Sequence, residues 1–243
     1  MPKPRRLDTI FWVEPAAVKG DRLTLDREES HHLLHVHRAA LGAPFVAVDG
    51  AGGTYECLLE SSDRGVAVGT VTRRWSGQGE LSVAITLLVG LPDAGPAETV
   101  VLHAVPLGAC AIDFVASGRA GRPALGPARL GRLSRIAVSA MKQSRRSRLP
   151  AIRSSASLDA ALALLGDGPR FLADPGSPSR LGSTPEELQG FISLAIGPPG
   201  GFADEEVRAL RDAGFKPIAL GNSRLTTETA AVAFLAIVRN YIK

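Results

Sequence analysis

Two short stretches near the C-terminal end carry residue types that can hold a small ligand. In each, an apolar run breaks at glycine and gives way to a helical pattern. Phe191 to Ile196 leads into Gly197-Pro198-Pro199-Gly200-Gly201-Phe202, and Pro217 to Leu220 leads into Gly221-Asn222-Ser223-Arg224-Leu225-Thr226-Thr227-Glu228-Thr229-Ala230. The first turn places three glycines and two prolines in five positions, so the chain can take backbone angles closed to other residues and a ligand can approach the main chain. Asp204, Glu205 and Glu206 follow, where a helix N-terminus favours negative charge. A threonine of the second stretch can cap a helix over Ala230 to Tyr241. Two such strand-to-helix loops opening side by side form a crevice at the carboxyl ends of parallel strands, where α/β sheets bind ligands. A phosphate cradle fits the first turn poorly: it lacks the Lys-Ser/Thr of a P-loop and the spacing of a dinucleotide fingerprint.

A second set of candidates is basic. The net charge is +4, yet between Phe114 and Leu158 there is no Asp or Glu, while nine arginines and Lys142 fall there. Such a segment reads as a phosphate-binding footprint. A genome that writes Arg for Lys would explain the five lysines of the whole chain, but not the missing acids. Within it, Lys142-Gln143-Ser144-Arg145-Arg146-Ser147-Arg148-Leu149-Pro150 forms a basic turn. Gln143 offers both donor and acceptor to a base edge, and Arg146 and Arg148 can grip phosphates in bidentate fashion. Four histidines, His31, His32, His35 and His37, invite a metal reading. No third ligand type stands near them and the zincin order is absent, so capping and surface roles are expected and no metal.

These residues need elements to position them. At 243 residues and 45% hydrophobic content, the chain suits one large domain or two modest ones. No apolar run approaches the roughly 20 residues that span a bilayer, and the N-terminus lacks a secretory core. Cys57 and Cys110 lie far apart and read as core fillers in a reduced, cytoplasmic setting. Strands are expected at Phe11 to Val13, Pro44 to Val48, Tyr55 to Leu59 and Gly65 to Arg73, with a helix between Arg27 and Gly42, which together suggest a small β-barrel. Trp75 to Glu80 is the linker candidate. Beyond it come a nearly continuous apolar strand at Leu81 to Val89, a helix at Ala97 to Leu107 and a strand at Ala111 to Val115. Then follow an arginine- and glycine-rich loop at Gly118 to Gly131, a helix at Arg132 to Gln143, a helix at Leu158 to Leu165 and a strand at Phe171 to Ala173. A further helix opens at Thr184 to Leu188. This alternation predicts a parallel, doubly wound α/β sheet.

The pair Ile196-Gly-Pro-x-Gly-Gly-Phe202 and Leu220-Gly-x-x-x-Leu-x-Thr-Glu-Thr-Ala230 resembles the RsmE-type methyltransferases of the SPOUT superfamily, and the resemblance runs along nearly the whole chain. The N-terminal His-His-Leu-x-x-Val-x-Arg followed by Asp-Gly is similar to that family's pattern too.

The resemblance implies an N-terminal PUA-like RNA-binding β-barrel over residues 1–74. It also implies a C-terminal SPOUT α/β domain over 80–243, with a deep trefoil knot and a homodimer interface at the knots. It implies S-adenosylmethionine as cofactor, ribosomal RNA or the small ribosomal subunit as partner, and methylation of N3 of a uridine in 16S ribosomal RNA. Leu172, Ile196, Gly197, Gly201, Leu220, Leu225, Thr227 and Ala230 would line the cofactor pocket, and Gln143, Arg146 and Arg148 the RNA-facing wall. Several charged positions depart from the family's pattern. Lys142 stands where Glu is usual, Pro199 fills the acidic place of Gly-Pro-Glu-Gly-Gly, and Ser223 and Thr226 replace arginines. A catalytically weak RNA-binding protein with the same fold, or a methyltransferase with a different RNA target, is therefore the alternative. No general base is evident, and Glu228 reads as a capping residue.

Overall fold

The computed structural model describes residues 9–119, 121–179, 181 and 188–242. The chain divides into two compact units, one formed by the described part of Met1–Glu80 with Val138–Leu149, the other by Leu81–Ala137 with the described part of Pro150–Lys243.

The first unit is built on strands β1 (Ile10–Trp12), β2 (Val18–Lys19), β3 (Arg22–Thr24), β4 (Pro44–Val48), β5 (Gly53–Asp63) and β6 (Val66–Ser76). They form one sheet in the order β1-β4-β5-β6-β3-β2. The β1–β4 pair is parallel and every other pair is antiparallel. Inward side chains of this sheet gather around Phe11, Leu23, Phe45, Cys57 and Leu59. Phe45 lies so close to β6 that a β-carbon on Gly69 would stand 2.5 Å from its ring, which is why the strand carries glycine there. Helix α1 (Arg27–His31) starts at Asp26, whose carboxylate accepts the Glu29 amide at 2.7 Å, and continues as a π-turn over His32–Val36. The histidines face one another in pairs, with ring centroids 4.8 Å apart for His31 and His35 and 5.0 Å for His32 and His37.

Trp75 to Glu80, read as a linker, is a pinned seam instead. The strand β6 runs to Ser76, and the Ser147 amide then bonds the Gln78 carbonyl at 3.0 Å. Gln78 in turn donates its side-chain amide to the Arg145 carbonyl at 3.1 Å.

The second unit contains β7 (Ala84–Gly90), α2 (Ala94–Ala104), β8 (Ala109–Val115), α3 (Pro127–Gln143), β9 (Ala151–Ser155), α4 (Leu158–Leu162), β10 (Arg170–Ala173), β11 (Phe191–Ile196), α5 (Asp204–Asp212), β12 (Lys216–Ile218) and α6 (Thr227–Tyr241). The last turns of α3 belong to the first unit. Its six strands form a sheet in the order β12-β10-β11-β7-β8-β9, parallel throughout. One face packs Leu88, Val115, Leu172 and Ala195 under Phe202, Leu210 and Phe215 of the α5 region. The alternate residues Leu87, Val89, Leu194 and Ile196 are buried as well, on the side where α6 meets β7, β11 and α2. Burial on both faces accounts for the continuous apolar runs.

Two outcomes depart from the sequence expectations, and one expectation falls outside the described residues. The edge strand β9 was not anticipated, because Arg153-Ser154-Ser155 lacks an apolar pattern; its register comes from pairing with β8. Helix α3 begins at Pro127 rather than Arg132, since proline suits a first helical turn and Gly131 costs an interior position only about 1 kcal/mol. The helix expected to open at Thr184 lies outside the described residues, apart from Leu188.

Candidate functional site

The loop after β11 is a tight, self-closed turn. The Gly201 amide donates to the Pro198 carbonyl at 2.8 Å, and Gly200 has φ +98°. With Pro199 ahead of it, this is a type II arrangement, which favours proline then glycine at the two central places. Pro199 therefore has a local structural reason to replace the acidic residue. Neighbouring glycines make the turn possible. A β-carbon on Gly197 would lie 2.9 Å from the Gly201 α-carbon, and one on Gly90, the last residue of β7, 2.3 Å from Pro198 Cδ. At Gly201, φ is +80° and a β-carbon would meet nothing within 4 Å. The turn thus presents bare backbone toward open space, where a ligand can hydrogen-bond the main chain without steric interference.

The second glycine loop follows β12. The two loops are not direct neighbours, because β10 stands between β11 and β12. They are nevertheless joined: the buried Thr227 donates its hydroxyl to the Gly197 carbonyl at 3.0 Å. Thr226 takes the N-cap position of α6 without a side-chain cap bond, its hydroxyl instead meeting that of Thr229 at 2.9 Å. Of the expected pocket residues, Ile196 ends β11 and is buried, and Ala230 is buried in the first turn of α6. Leu220 and Leu225 are half-buried at either end of the loop. Leu172 packs its side chain into the core with Ala195, Phe202 and Leu210, so any contact it makes with a ligand comes from its main chain.

Sequence reasoning missed a third loop at the same sheet edge, the one after β8. Glu206, read only as a helix N-terminal charge, accepts the Ala203 amide at 2.7 Å with one oxygen and the Gly118 amide at 2.9 Å with the other. Arg119 donates to the Gly200 carbonyl at 3.1 Å and reaches Asp204 at 3.3 Å. No local signal could reveal these contacts, whose partners are 81 to 88 residues apart in sequence.

The basic segment differs from its expected form. Arg146 is 2% exposed, and its guanidinium is spent on Glu80, with Nη2 at 2.6 Å and Nε at 3.2 Å. The other oxygen of Glu80 accepts the amides of Ser147 and Arg148 at 3.0 and 2.8 Å. Arg146 is therefore a structural residue that braces the turn rather than a phosphate grip. Lys142 pairs with Glu29 of α1, which gives the exchange of Glu for Lys a partner. Arg119, Arg122 and Arg132 face Asp204, Asp93 and Glu98. The free positive charge of the segment is thus smaller than its composition suggests. Gln143 and Arg148 remain exposed. Arg148 is presented by the seam itself: it bridges Ala51, and its guanidinium lies over Gly52. The helix before it closes with the amides of Arg145 and Arg146 on the carbonyls of Lys142 and Met141 at 3.2 and 3.1 Å. Arg145 sits at φ +58°, a Schellman closure with arginine in the place usually given to glycine.

Residues 79–239 match the family model of the RNA methyltransferase domain. The ribosomal RNA small subunit methyltransferase E of Synechocystis is 30% identical, with 92% of this chain and 75% of that protein covered. That of Mycobacterium bovis is 29% identical over 94% of this chain and 90% of its own length. The chain belongs to the RsmE-type ribosomal RNA methyltransferases. The crystal structure of the Neisseria gonorrhoeae methyltransferase E, bound to S-adenosyl methionine, shares the fold with a TM-score of 0.83. It covers 96% of this chain and 97% of its own at 24% identity. The RsmE resemblance read from the two glycine loops thus holds at the level of the family.

Proposed function

We propose that this RsmE-type protein transfers a methyl group from S-adenosylmethionine to N3 of a uridine in the RNA of the small ribosomal subunit. The observation that carries the reading is the bare-backbone turn Pro198–Gly201, tied through Thr227 to the second glycine loop. An adenosine-bearing ligand suits such a place, because peptide groups there can bond it without bulky side chains. Gly197, Gly201, Leu220, Leu225 and Thr227 would hold it, with Ile196 and Ala230 behind them. When bound, S-adenosylmethionine supplies an already activated methyl carbon. The chain's own task is to position donor and acceptor and to exclude water. Gln143 and Arg148 are the residues we assign to the RNA, Gln143 for a base edge and Arg148 for a phosphate.

We carry the finer architecture on the same footing: residues 1–74 as a PUA-like RNA-binding barrel, 80–243 as a knotted SPOUT domain, a homodimer, and a cytoplasmic site of action. The knot is supported by the course of the chain after β12, which returns past β10 to set Thr227 against Gly197. No described helix is long and apolar enough to cross a membrane. Two of the charge departures that favour a weak RNA binder have structural reasons, Pro199 in its turn and Lys142 with Glu29, which weighs toward the enzyme. Calorimetry with S-adenosylmethionine and its demethylated product tests the donor site. Binding of both is expected; no heat from either at millimolar concentration would remove the basis of the proposal.

A further inference from the structure

The end of the first unit's sheet, where β5 begins and β6 stops, carries groups without a role in the reading above. Trp75, one of two tryptophans in the chain, is half-buried and paired in register with Thr54. Its indole donates to Gln78 Oε1 at 2.9 Å, and Gln78 Nε2 donates in turn to the Arg145 carbonyl at 3.1 Å. The ring is thereby fixed at its edge. The exposed Arg73 sets its guanidinium over that ring, 5.5 Å from the centroid. The ladder puts Glu56 opposite Arg73, yet this arginine makes no ion pair among the described residues.

The turn before β5 adjoins this pair. Asp49 accepts the Ala51 and Gly53 amides, both at 2.8 Å, and Gly52 stands at φ +111°. A β-carbon on Gly52 would meet Arg148 Nε at 3.2 Å, so the exposed Arg148 side chain lies against the turn. The Gly77 amide bonds the Gly52 carbonyl at 3.0 Å, which ties the turn to the strand end that carries Trp75. Two guanidiniums, an indole and a glycine turn thus share one end of the sheet. Neither guanidinium is paired with a carboxylate among the described residues.

This combination fits an unpaired nucleotide. Guanidiniums attract phosphate, and both indole and guanidinium planes are surfaces on which a splayed-out base stacks. Duplex RNA keeps its bases stacked on one another and would use the arginines alone. We infer that this end of the sheet takes one unpaired nucleotide of the RNA, its base stacked on the Arg73–Trp75 pair and its phosphate on Arg148. The inference rests on the RNA-substrate reading. It adds a stacking contact, and with it a preference for single-stranded RNA on this surface.

The test uses the full chain with a single-stranded oligoribonucleotide, and the same sequence as a duplex for comparison. Arg73→Gln should weaken single-strand binding, followed by anisotropy, about tenfold, within the range that base stacking on side chains supplies. Arg64→Gln removes the same charge from the turn at the other end of the β5–β6 hairpin and should lose about twofold at most. A Trp12→Phe background leaves Trp75 as the only indole. Its emission should be quenched by unlabelled single strand and unchanged by duplex. Equal losses in Arg73→Gln and Arg64→Gln, or unchanged Trp75 emission with single strand bound, would overturn the inference and leave the RNA reading standing. Equal quenching by duplex would overturn the single-strand preference. Failure of the wild type to bind either form at low salt would bring down the RNA reading itself.

Discussion

Replacing Gly201 by valine separates the cost of a strained backbone from the cost of a blocked ligand. A β-carbon at Gly201 meets no atom within 4 Å, so the fold bears only the penalty of φ +80°, about 1–2 kcal/mol for a residue with a side chain. In a protein of this size that lowers the melting point by about 2–8 °C. Gly190 offers a matched control: its φ is +68°, its β-carbon position is equally open, and it lies at the other end of β11, just before Phe191. Gly190→Val should therefore lose as much stability in the absence of ligand. With S-adenosylmethionine at a hundred times its dissociation constant, a native-state ligand adds about 2.7 kcal/mol, or about 5–11 °C by the same scaling. Thermal melts of both variants with and without the ligand give the comparison. Gly190→Val should keep the full ligand shift and Gly201→Val should show none. A full shift in Gly201→Val would refute the placement of the donor on this turn.

Other predictions concern the supports of the site. Gly90→Ala forces a β-carbon to 2.3 Å from Pro198, so the turn must move; stability should fall by about 1–3 kcal/mol in denaturant melts, and donor affinity should fall with it. Glu80→Ala takes the carboxylate away from the buried Arg146 guanidinium and from the Ser147 and Arg148 amides, which should cost about 3–5 kcal/mol by the same measurement. Arg148→Ala, by contrast, should leave the melting point unchanged, weaken RNA binding and reduce the log–log salt slope by about one. Cys57, whose thiol is pushed up to about 12 chiefly by burial, should resist iodoacetamide at pH 8 in the native protein and react once the chain is unfolded in urea.

What the sequence disclosed and what it withheld divide along a physical line. The first glycine loop was legible because positive φ at Gly200 and Gly201 and close approach at Gly197 restrict those positions to glycine, and the apolar runs of β7 and β11 because both faces of the sheet are covered. The strands β5 and β6 were recognised but run longer than expected, since their ends are held by pairing rather than by pattern. The edge strand β9, with its polar Arg153-Ser154-Ser155, became visible only through its partner β8. Charge misled most. The acid-free stretch looked like ten free cations, but Arg146 finds Glu80 across 66 residues and Lys142 finds Glu29 across 113. A composition window cannot register such partners. The latch of Glu206 on Gly118 escaped for the same reason, since a helix N-terminal acid has a sufficient local explanation.

The central claim is catalytic, and one measurement bears on it directly. Ribosomal RNA from a strain lacking the gene is incubated with the purified protein and S-adenosylmethionine, digested to nucleosides and analysed by mass spectrometry. The account predicts N3-methyluridine in the small-subunit RNA, absent without protein and absent again with Gly201→Val. Intact, salt-sensitive RNA binding with no methylated nucleoside would contradict it and leave a binder on a methyltransferase fold.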